Sequence, residues 1–396
     1  MRRDVYVVGS AAVSPFGLEP AALVDGLAGD GVAAVSTLLA ASDPTARAIG
    51  VAAVPADRDP VPAKARKTMS RGAYLGAVAL RACVGAAGWS DRDGVGYFLG
   101  VGASGGSMTD LEAILAATLG TDEDDDEDGD GLSLERFGAA GIPACNPLLA
   151  FQLMNNFTMC HGAILEGTTG PSGAFFSRGA GTVAALIEAR EAIAAGACER
   201  AIAGGADSAL HPVTWIEHQR MADAPVRLPA SEGAGLIALA RAAPASGPVI
   251  VIEVIEQVTR ADDPAARAAA LLRNADGPCD VIIVSADDLS QRDALRSAVG
   301  GSFDSAFADV DAALRTNGVA GPRGEAGAGP RGEGETRAVV LVLDGIGTCL
   351  AATPALGWVA AVEQLRRGAR RAAVVTLDGA GDLAVVVFAR RDGAGR

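Results

Sequence analysis

Short, continuous runs of apolar residues recur along the chain and predict buried β-strands. The first run is Val5–Val8, and a second spans Tyr97–Val101. Further runs of this kind begin at Ala201, Gly235, Val249, Val281, Ala338, Ala372 and Leu383. Ala-rich stretches with a helical pattern separate many of them, at 72–88, 181–196, 264–273 and 354–367. Strands that are apolar throughout and alternate with helices are typical of largely parallel sheets covered on both faces.

The stretch 181–196 differs from an ordinary amphipathic helix because apolar residues fill nearly its whole circumference. A helix that is apolar on all sides is buried in the centre of a large protein. The same alternation of strands and helices then runs through both parts of the chain, 1–245 and 246–396. We therefore predict two α/β halves, although the sequence shows no close internal repeat.

Two polar segments interrupt the apolar pattern. Residues 121–131 hold eight carboxylates within nine positions, and mutual repulsion is expected to keep this loop solvated and disordered. Its spacing does not match a calcium-binding loop. Residues 318–336 contain Gly-Pro-Arg-Gly-Glu twice, but the Gly-X-Y register fails between the copies. This second segment is expected to be a flexible surface loop rather than collagen.

Composition narrows the choice of partners. The chain has 33 basic and 48 acidic side chains, for a net charge of −15. An acidic protein is a poor match for nucleic acid or for an anionic membrane surface. Without the eight acids of the loop 121–131 the net charge is −7, so much of it belongs to one appended segment.

Cysteine spacing and the apolar runs bear on metal binding and compartment. The six cysteines are Cys83, Cys145, Cys160, Cys198, Cys279 and Cys349. They form no Cys-x-x-Cys pair and no Cys/His cluster, so neither a metal site nor a disulfide framework is expected. The N-terminus lacks a signal-peptide core, and the longest uncharged run, 137–165, contains two prolines. A cytoplasmic location is the expectation.

Several Gly-rich motifs follow one another in a fixed order. They are Val7–Gly17, Phe98–Gly106, Pro147, Asn156, His161, Gly167, Gly170-Pro171, Ala201–Asp207, Leu210–Pro212 and Ser231–Gly235. In order and spacing they resemble the β-ketoacyl synthases, which condense an acyl group with a malonyl unit. The resemblance covers nearly the whole chain. It implies an α/β, thiolase-like fold of two similar α/β halves, layered α-β-α-β-α.

The resemblance also shows which catalytic groups are missing. The family uses a Cys on a strained turn at a buried helix N-terminus, where the helix dipole lowers its pKa, together with two His. Alignment on Gly170-Pro171 puts Gly179 at the nucleophile position. Ala286 and Thr348 fall at the two His positions, and the second half contains no His at all. No shift of alignment can therefore restore either His.

The residues around Gly179 form the rest of the candidate site. Phe176, Ser177, Arg178 and Ala180 flank it at the elbow and are candidate wall residues of an acyl tunnel. The charge of Arg178 requires a carboxylate partner or an exit to solvent. The family's Gly-Phe-Gly-Gly gating loop is reduced to Asp378–Gly381, without its Phe.

The histidines and the remaining nucleophiles have structural interpretations. His161 is interpreted as a hydrogen-bonded core residue, and His211 and His218 as surface residues on loops. Cys160 precedes His161, but adjacent helical residues point in different directions, so Cys160 is expected to pack in a core. Cys349 is expected to pack as well. Ser177 would need a base that this half of the chain does not supply.

Taken together, the motifs imply a ketosynthase-like subunit without catalytic residues, most like the chain length factor of type II polyketide- or fatty-acid-type synthases. There, a competent ketosynthase pairs with a homologue that lacks the Cys, and the homologue helps to shape the acyl tunnel. No cofactor or metal is implied; the ligand would be a phosphopantetheine-linked acyl chain of an acyl carrier protein. Two alternatives stay open: an unusual acyltransferase or hydrolase using Ser177 or Cys160, and a homodimeric acyl-binding scaffold.

Overall fold

The computed structural model describes residues 4–29, 48–51, 54–103, 105–106, 108–119, 133–212, 214–216, 228–275, 277–300 and 338–391. The predictions for the loops 121–131 and 318–336, and for His218, lie outside these residues.

The described strands form one mixed sheet. They are β1 (Tyr6–Val13), β2 (Ala48–Ile49), β3 (Gly96–Val101), β4 (Ser172–Phe176), β5 (Arg200–Ser208), β6 (Ala230–Ala240), β7 (Val249–Val258), β8 (Val281–Ala286), β9 (Val339–Val342), β10 (Arg371–Leu377) and β11 (Leu383–Arg391). Their order is β4-β3-β5-β6-β1-β7-β11-β10-β8-β9, and β2 pairs with β6 beside this path. The strands thus fall close to where the apolar runs predict them.

The helices connect these strands. They are α1 (Pro20–Leu27), α2 (Ala63–Arg66), α3 (Arg71–Ala86), α4 (Met108–Thr118), α5 (Leu134–Arg136), α6 (Ile142–Ala144), α7 (Leu149–Leu153), α8 (Asn155–Glu166), α9 (Arg178–Ala194), α10 (Pro264–Asn274), α11 (Leu289–Gly300) and α12 (Thr353–Arg366). A π-helical turn at Phe137–Gly141 joins α5 to α6, and short 3-10 turns cover Ala56–Arg58, Leu343–Ile346 and Leu350–Ala352. In the described residues no helix is long and apolar enough to cross a membrane.

The two halves of the sheet have the same topology. Numbered within its own half and leaving out the short β2, each half has the strand order 3-2-4-5-1: β4-β3-β5-β6-β1 and β9-β8-β10-β11-β7. The halves join where the two first strands, β1 and β7, pair in antiparallel fashion. The structure therefore contains a duplication that the residues themselves do not reveal.

The prediction of largely parallel pairing is wrong. β3 pairs in parallel with β4 and β5, and β8 pairs in parallel with β9 and β10. The fifth strand of each half, β6 or β11, is antiparallel to both of its main-path neighbours. These antiparallel strands are also largely buried on both faces, so they lack the polar alternation that usually distinguishes them.

The core is divided into layers by the sheet. In β5, Ala201 and Ala203 belong to a central apolar cluster, whereas Ile202 and Ala206 belong to a cluster on the opposite face. The central cluster surrounds α9 and α12, each of which follows the third strand of its half. Helices α3 and α8 cover the outer face of the first half, and α10 and α11 that of the second. This is the expected α-β-α-β-α layering.

Candidate functional site

A strained turn joins strand β4 to the central helix α9. The strand ends at Phe176, and the helix begins at Arg178, whose φ is +44°. Residues other than glycine rarely adopt this left-handed backbone conformation, and such strain is concentrated at functional sites. Gly179 follows in the first buried turn of α9. The structure therefore keeps the geometry of a nucleophile elbow at the position where the sequence has no nucleophile.

The space in which a side chain of residue 179 would lie is already occupied. A Cβ on Gly179 would be 3.3 Å from Cγ of Pro354 and 3.6 Å from Cβ of Asp378. Contacts near 3.3 Å are tighter than most that a Cβ makes, so Pro354 would have to move to admit a thiol. Pro354 stands where the family motif has its final Gly, and it closes the site from above.

The cavity beside Gly179 has a volume of about 20 Å³, which is room for about one water molecule. Residues from both halves line it, including Ala180, Ser285, Asp287, Thr353 and Asp378. The described lining contains no His and no Cys. An acyl chain does not fit in a cavity of this size.

The positions of the two missing histidines meet at this cavity through Asp287. Ala286 is buried at the end of β8, and Thr348 is buried in the loop after β9. The Thr348 hydroxyl donates a hydrogen bond of 3.0 Å to Oδ1 of Asp287. The backbone N–H of Gly379, after β10, donates one of 2.8 Å to Oδ2 of the same carboxylate. The Asp287 carboxylate thus connects the loops that follow β8, β9 and β10.

Arg178 brings a positive charge to the same carboxylate. A Cβ built on Gly379 would lie 3.5 Å from Nη1 of Arg178 and 3.3 Å from Oδ2 of Asp287, so both groups adjoin one point. The charge of Arg178 also lowers the pKa of Asp207. The guanidinium therefore lies near carboxylates from both halves. These supply the negatively charged neighbours that a partly buried positive charge requires.

Asp207, at the end of β5, connects the first half to the second. Its carboxylate accepts hydrogen bonds from the N–H groups of Ser208 (2.7 Å) and Ala351 (3.1 Å). The Thr182 hydroxyl of α9 donates to the carbonyl oxygen of Ala351 from the other side. Burial raises the pKa of Asp207 to about 7, and the two N–H groups and Arg178 offset only part of that effect.

The loop that begins at Asp378, which is aligned with the family's gating loop, is held by hydrogen bonds between its own residues. Oδ1 of Asp378 accepts the N–H groups of Ala380 and Asp382, each at 3.0 Å. Burial raises the pKa of Asp378, and the charges of Asp287 and Asp382 raise it further. Sequence reasoning missed the roles of Asp207, Asp287 and Asp378. One signal was available, because each carboxyl group lies at or just beyond the carboxyl end of a strand that has a parallel neighbour.

The remaining elbow residues are divided between the surface and the cavity. Phe176 is 60% exposed, and Ser177 is exposed and caps no helical N–H group with its side chain. Arg178 is half-buried, and Ala180 is buried against the cavity. The structure therefore brings Gly179, Ala180 and the two lost His positions together, and leaves Phe176 and Ser177 facing outward.

The predicted hydrogen bonds of His161 are confirmed, but the residue is half-buried rather than in the core, and no dyad with Cys160 forms. Nε2 of the imidazole lies 3.0 Å from the Thr68 hydroxyl, and Nδ1 lies 2.7 Å from the Phe157 carbonyl oxygen. Both ring nitrogens are therefore occupied by groups other than the thiol. Cys160 packs against the outer cluster of the first half, as expected.

His211 and Cys349 are each held by their surroundings. The surface interpretation of His211 is wrong, because the ring is half-buried and its Nε2 lies 2.9 Å from the Gly106 carbonyl oxygen. Gly105 leaves the room for this ring, since a Cβ there would lie 2.3 Å from it. Cys349 is fully buried, and burial raises its pKa to about 12, so it packs as a neutral thiol.

A duplicated, five-layered α/β fold, with a strained elbow before its central helix, defines a condensing-enzyme scaffold of the thiolase type. The family model of the β-ketoacyl synthase N-terminal domain matches residues 2–227, more than half of the chain. The chain therefore belongs to the β-ketoacyl synthase family.

Solved structures show the same fold over 98% of this chain. One holds a type II polyketide synthase acyl-carrier protein in complex with its ketosynthase bound to the hexaketide (TM-score 0.69, 14% identity, 99% of that chain covered). Another is the ishigamide ketosynthase/chain length factor (0.67, 20%, 100%). A third is a β-ketoacyl synthase from Burkholderia phymatum (0.64, 17%, 100%). A search of the curated proteins gives no match.

Proposed function

We propose that this chain is a ketosynthase-like subunit without condensing activity of its own, in the manner of a chain length factor. It pairs with a Cys-bearing β-ketoacyl synthase and helps to shape the acyl tunnel for decarboxylative Claisen condensation in polyketide- or fatty-acid-type biosynthesis. The observation that carries the proposal is the state of the nucleophile position: Gly179 lies under Pro354, beside a cavity of about 20 Å³.

The chemistry of condensation explains why this observation decides against catalysis. The acyl group must be transferred to a thiolate, and a base or hydrogen-bond donor must stabilise the charge that develops on decarboxylation. Ala286 and Thr348 fall at the two His positions. The methyl group of Ala286 donates no hydrogen bond, and the Thr348 hydroxyl is engaged by Asp287, whose carboxylate would repel an enolate. Neither the nucleophile nor the stabilising groups are therefore supplied by these positions.

One surface of the first half favours a protein partner. Of the thirteen most exposed large apolar side chains in the described residues, eleven lie between positions 115 and 176. The largest exposures among them are Leu134, Ile142, Met154, Ile164 and Phe176. Helices α4 to α8 and strand β4 carry these side chains, and β4 lies at the end of the strand order, paired with β3. An apolar surface beside a free sheet edge is typical of a protein interface.

The solved neighbours support the class of partner. They include a ketosynthase/chain length factor and a ketosynthase in complex with its acyl-carrier protein. We propose that the competent ketosynthase covers the apolar surface of α4–α8 and β4. An acyl carrier protein would meet the pair chiefly through the ketosynthase, because both the carrier and this chain are acidic.

The alternative of an unusual acyltransferase or hydrolase receives no specific support. Ser177 is exposed, and neither described histidine lies among the residues that line the cavity beside Gly179. Cys160 has no free imidazole beside it, since both nitrogens of His161 are engaged. The homodimeric scaffold uses the same apolar surface, so it is an outcome that the association experiment must separate.

The experiment measures complex mass after mixing the purified chain with a Cys-bearing ketosynthase encoded beside it. We expect a one-to-one complex that Phe176→Glu weakens by at least about tenfold in Kd, since it buries a charge in an apolar interface. Val339→Glu is the matched control, because Val339 is 55% exposed on β9 at the other end of the strand order. A homodimer of this chain that does not bind the ketosynthase would support the scaffold alternative and overturn the proposal.

A further inference from the structure

Asp287 is the point at which three separate loops meet. It follows β8, and its two carboxylate oxygens accept hydrogen bonds from Thr348, 61 residues away, and from Gly379, 92 residues away. These partners belong to the loops after β9 and β10. Because β8 pairs in parallel with both strands, their carboxyl ends lie side by side, and one short side chain reaches both loops.

Both loops also close over Gly179. The loop after β10 places the Asp378 side chain 3.6 Å from the point where a Cβ of Gly179 would lie. The loop after β9 leads through the turn Leu350–Ala352 into Pro354, which lies 3.3 Å from the same point. A contact that holds these two loops therefore also holds the cover of the former nucleophile position.

The charged side chains near Asp287 favour keeping its hydrogen bonds to the two loops formed. A Cβ built on Gly379 would lie within 3.5 Å of both Nη1 of Arg178 and Oδ2 of Asp287, so the guanidinium lies in the neighbourhood of this carboxylate. Asp378 and Asp382 lie on the same cavity and would repel Asp287 without a nearby positive charge. Each oxygen of the Asp287 carboxylate thus accepts a hydrogen bond from a different loop, so the loss of this one side chain would release both loops.

We propose that Asp287 is a positioning residue. It forms a joint, by which we mean a fixed connection between two loops, beside the positions aligned with the catalytic residues. It holds the loops 347–352 and 378–382 together and keeps them shut over Gly179. The inference concerns the chain alone and does not rest on its pairing with a ketosynthase. It assigns a present role to this site, which is to keep the two loops closed over Gly179.

The test is hydrogen–deuterium exchange of the full chain, read by mass spectrometry. For Asp287→Ala we expect exchange to rise by about tenfold or more in both loops, 347–352 and 378–382, since one change removes a bond to each. A role in local packing alone would raise exchange around residue 287 and leave these distant loops unchanged. That outcome would overturn the proposal.

Asp288→Ala is the matched control at the next position. Asp288 is buried, and its Oδ1 accepts the N–H groups of Ser290 (2.6 Å) and Gln291 (2.9 Å) at the start of α11. Its loss should raise exchange in the first turn of α11 and not in the loops 347–352 and 378–382. Equal effects of the two variants on both loops would contradict a joint at Asp287.

A second variant covers the case in which Asp287→Ala does not fold. Thr348→Val keeps the shape of the side chain and removes the hydroxyl, which donates to Asp287 and also accepts the Leu350 N–H at 3.4 Å. We expect faster exchange in 347–352, and a smaller increase in 378–382 because the two loops share the carboxylate. An unchanged loop 378–382 would show that the loops are independent, which overturns the joint.

Discussion

The two halves of the molecule share one strand order but differ at the carboxyl ends of their strands. In both, a non-glycine residue with a positive φ stands just before or at the start of the central helix: Arg178 at +44° and Leu350 at +48°. Asp207 and Asp378 stand at equivalent places after the fourth strands. Asp207 bonds across to Ala351 in the other half, whereas Asp378 bonds only within its own loop.

The comparison shows that the strained geometry of an elbow is kept before the central helix, where the sequence has Gly179 and no nucleophile. The first half keeps the elbow and adds the apolar surface of α4–α8, which suits a partner. The second half has Ala286 and Thr348 at the positions aligned with the histidines, and the Thr348 hydroxyl donates a hydrogen bond to Asp287. In our proposal the first half serves association, and the loops of the second half cover Gly179.

The largest effect on stability is expected from a substitution that breaks an ion pair in the second half. Arg292 in α11 and Asp344 after β9 form a salt bridge in which both side chains are only 1% exposed. Arg292→Met leaves the Asp344 carboxylate buried without its cation, so we expect the free energy of unfolding to fall by about 3–5 kcal/mol. Urea denaturation measures it.

The counterpart in the first half is the control for this change. Glu166 is buried, but its partners Arg81 and Arg92 reach solvent, with side chains 51% and 32% exposed. Arg81→Met leaves Arg92 in place, so a loss of only about 1 kcal/mol is expected. Equal losses in the two halves would contradict the assignment of a buried pair to the second half alone.

The next effect concerns pH and Asp207, the carboxylate that crosses between the halves. Its pKa is raised from 3.8 to about 7, so the folded protein binds this proton more tightly than the unfolded chain. The favourable contribution is complete below pH 3.8 and is lost as the pH rises toward 7 and through it, by at most about 1.4 kcal/mol per pH unit.

Asp207→Asn should remove this contribution. The difference in unfolding free energy between Asp207→Asn and the wild type should therefore shift in favour of the variant between pH 5 and pH 8. Comparing the two proteins by urea denaturation at each pH cancels the titration of all other groups. A difference that stays constant with pH would show that Asp207 does not change its protonation in this range.

A smaller effect tests the cover over the nucleophile position. Gly179→Cys adds a side chain against Pro354, and overpacking of this kind costs about 1–3 kcal/mol. Gly85→Cys in α3 is the control, because no atom lies within 4 Å of the added Cβ and a helical Gly is itself unfavourable. The control should be neutral or slightly stabilising in thermal unfolding; a neutral Gly179→Cys would contradict the closed site.

The smallest expected effect compares the caps of equivalent helices. Ser70 caps α3 through a bond from the Ala73 N–H (3.2 Å), and Asp263 caps α10 through one from the Ala266 N–H (3.0 Å). Each change to Ala should cost about 1 kcal/mol. The two losses, measured by thermal unfolding, should be similar if the duplicated halves have similar local stability. A large difference between the two losses would show that the halves differ in local stability.

The sequence predicts the elements well because apolar runs and Ala-rich helices are local patterns. The buried helix 181–196 becomes α9, and Gly179, which the family motifs align with the nucleophile, lines one cavity together with Asp287, the neighbour of Ala286. The mixed pairing was missed because doubly buried antiparallel strands have no polar alternation. The contacts of Asp287 were missed because they join residues 61 and 92 positions apart, which no local pattern encodes.

The central claim is that this chain supports condensation only through a partner that carries the thiol. Intact-mass spectrometry after incubation with an acyl thioester and a malonyl donor tests it most directly, on the chain alone, on the ketosynthase alone and on the pair. The account predicts an acyl adduct on the ketosynthase, none on this chain, and elongated product with the pair. A covalent acyl group on the purified chain by itself would contradict it.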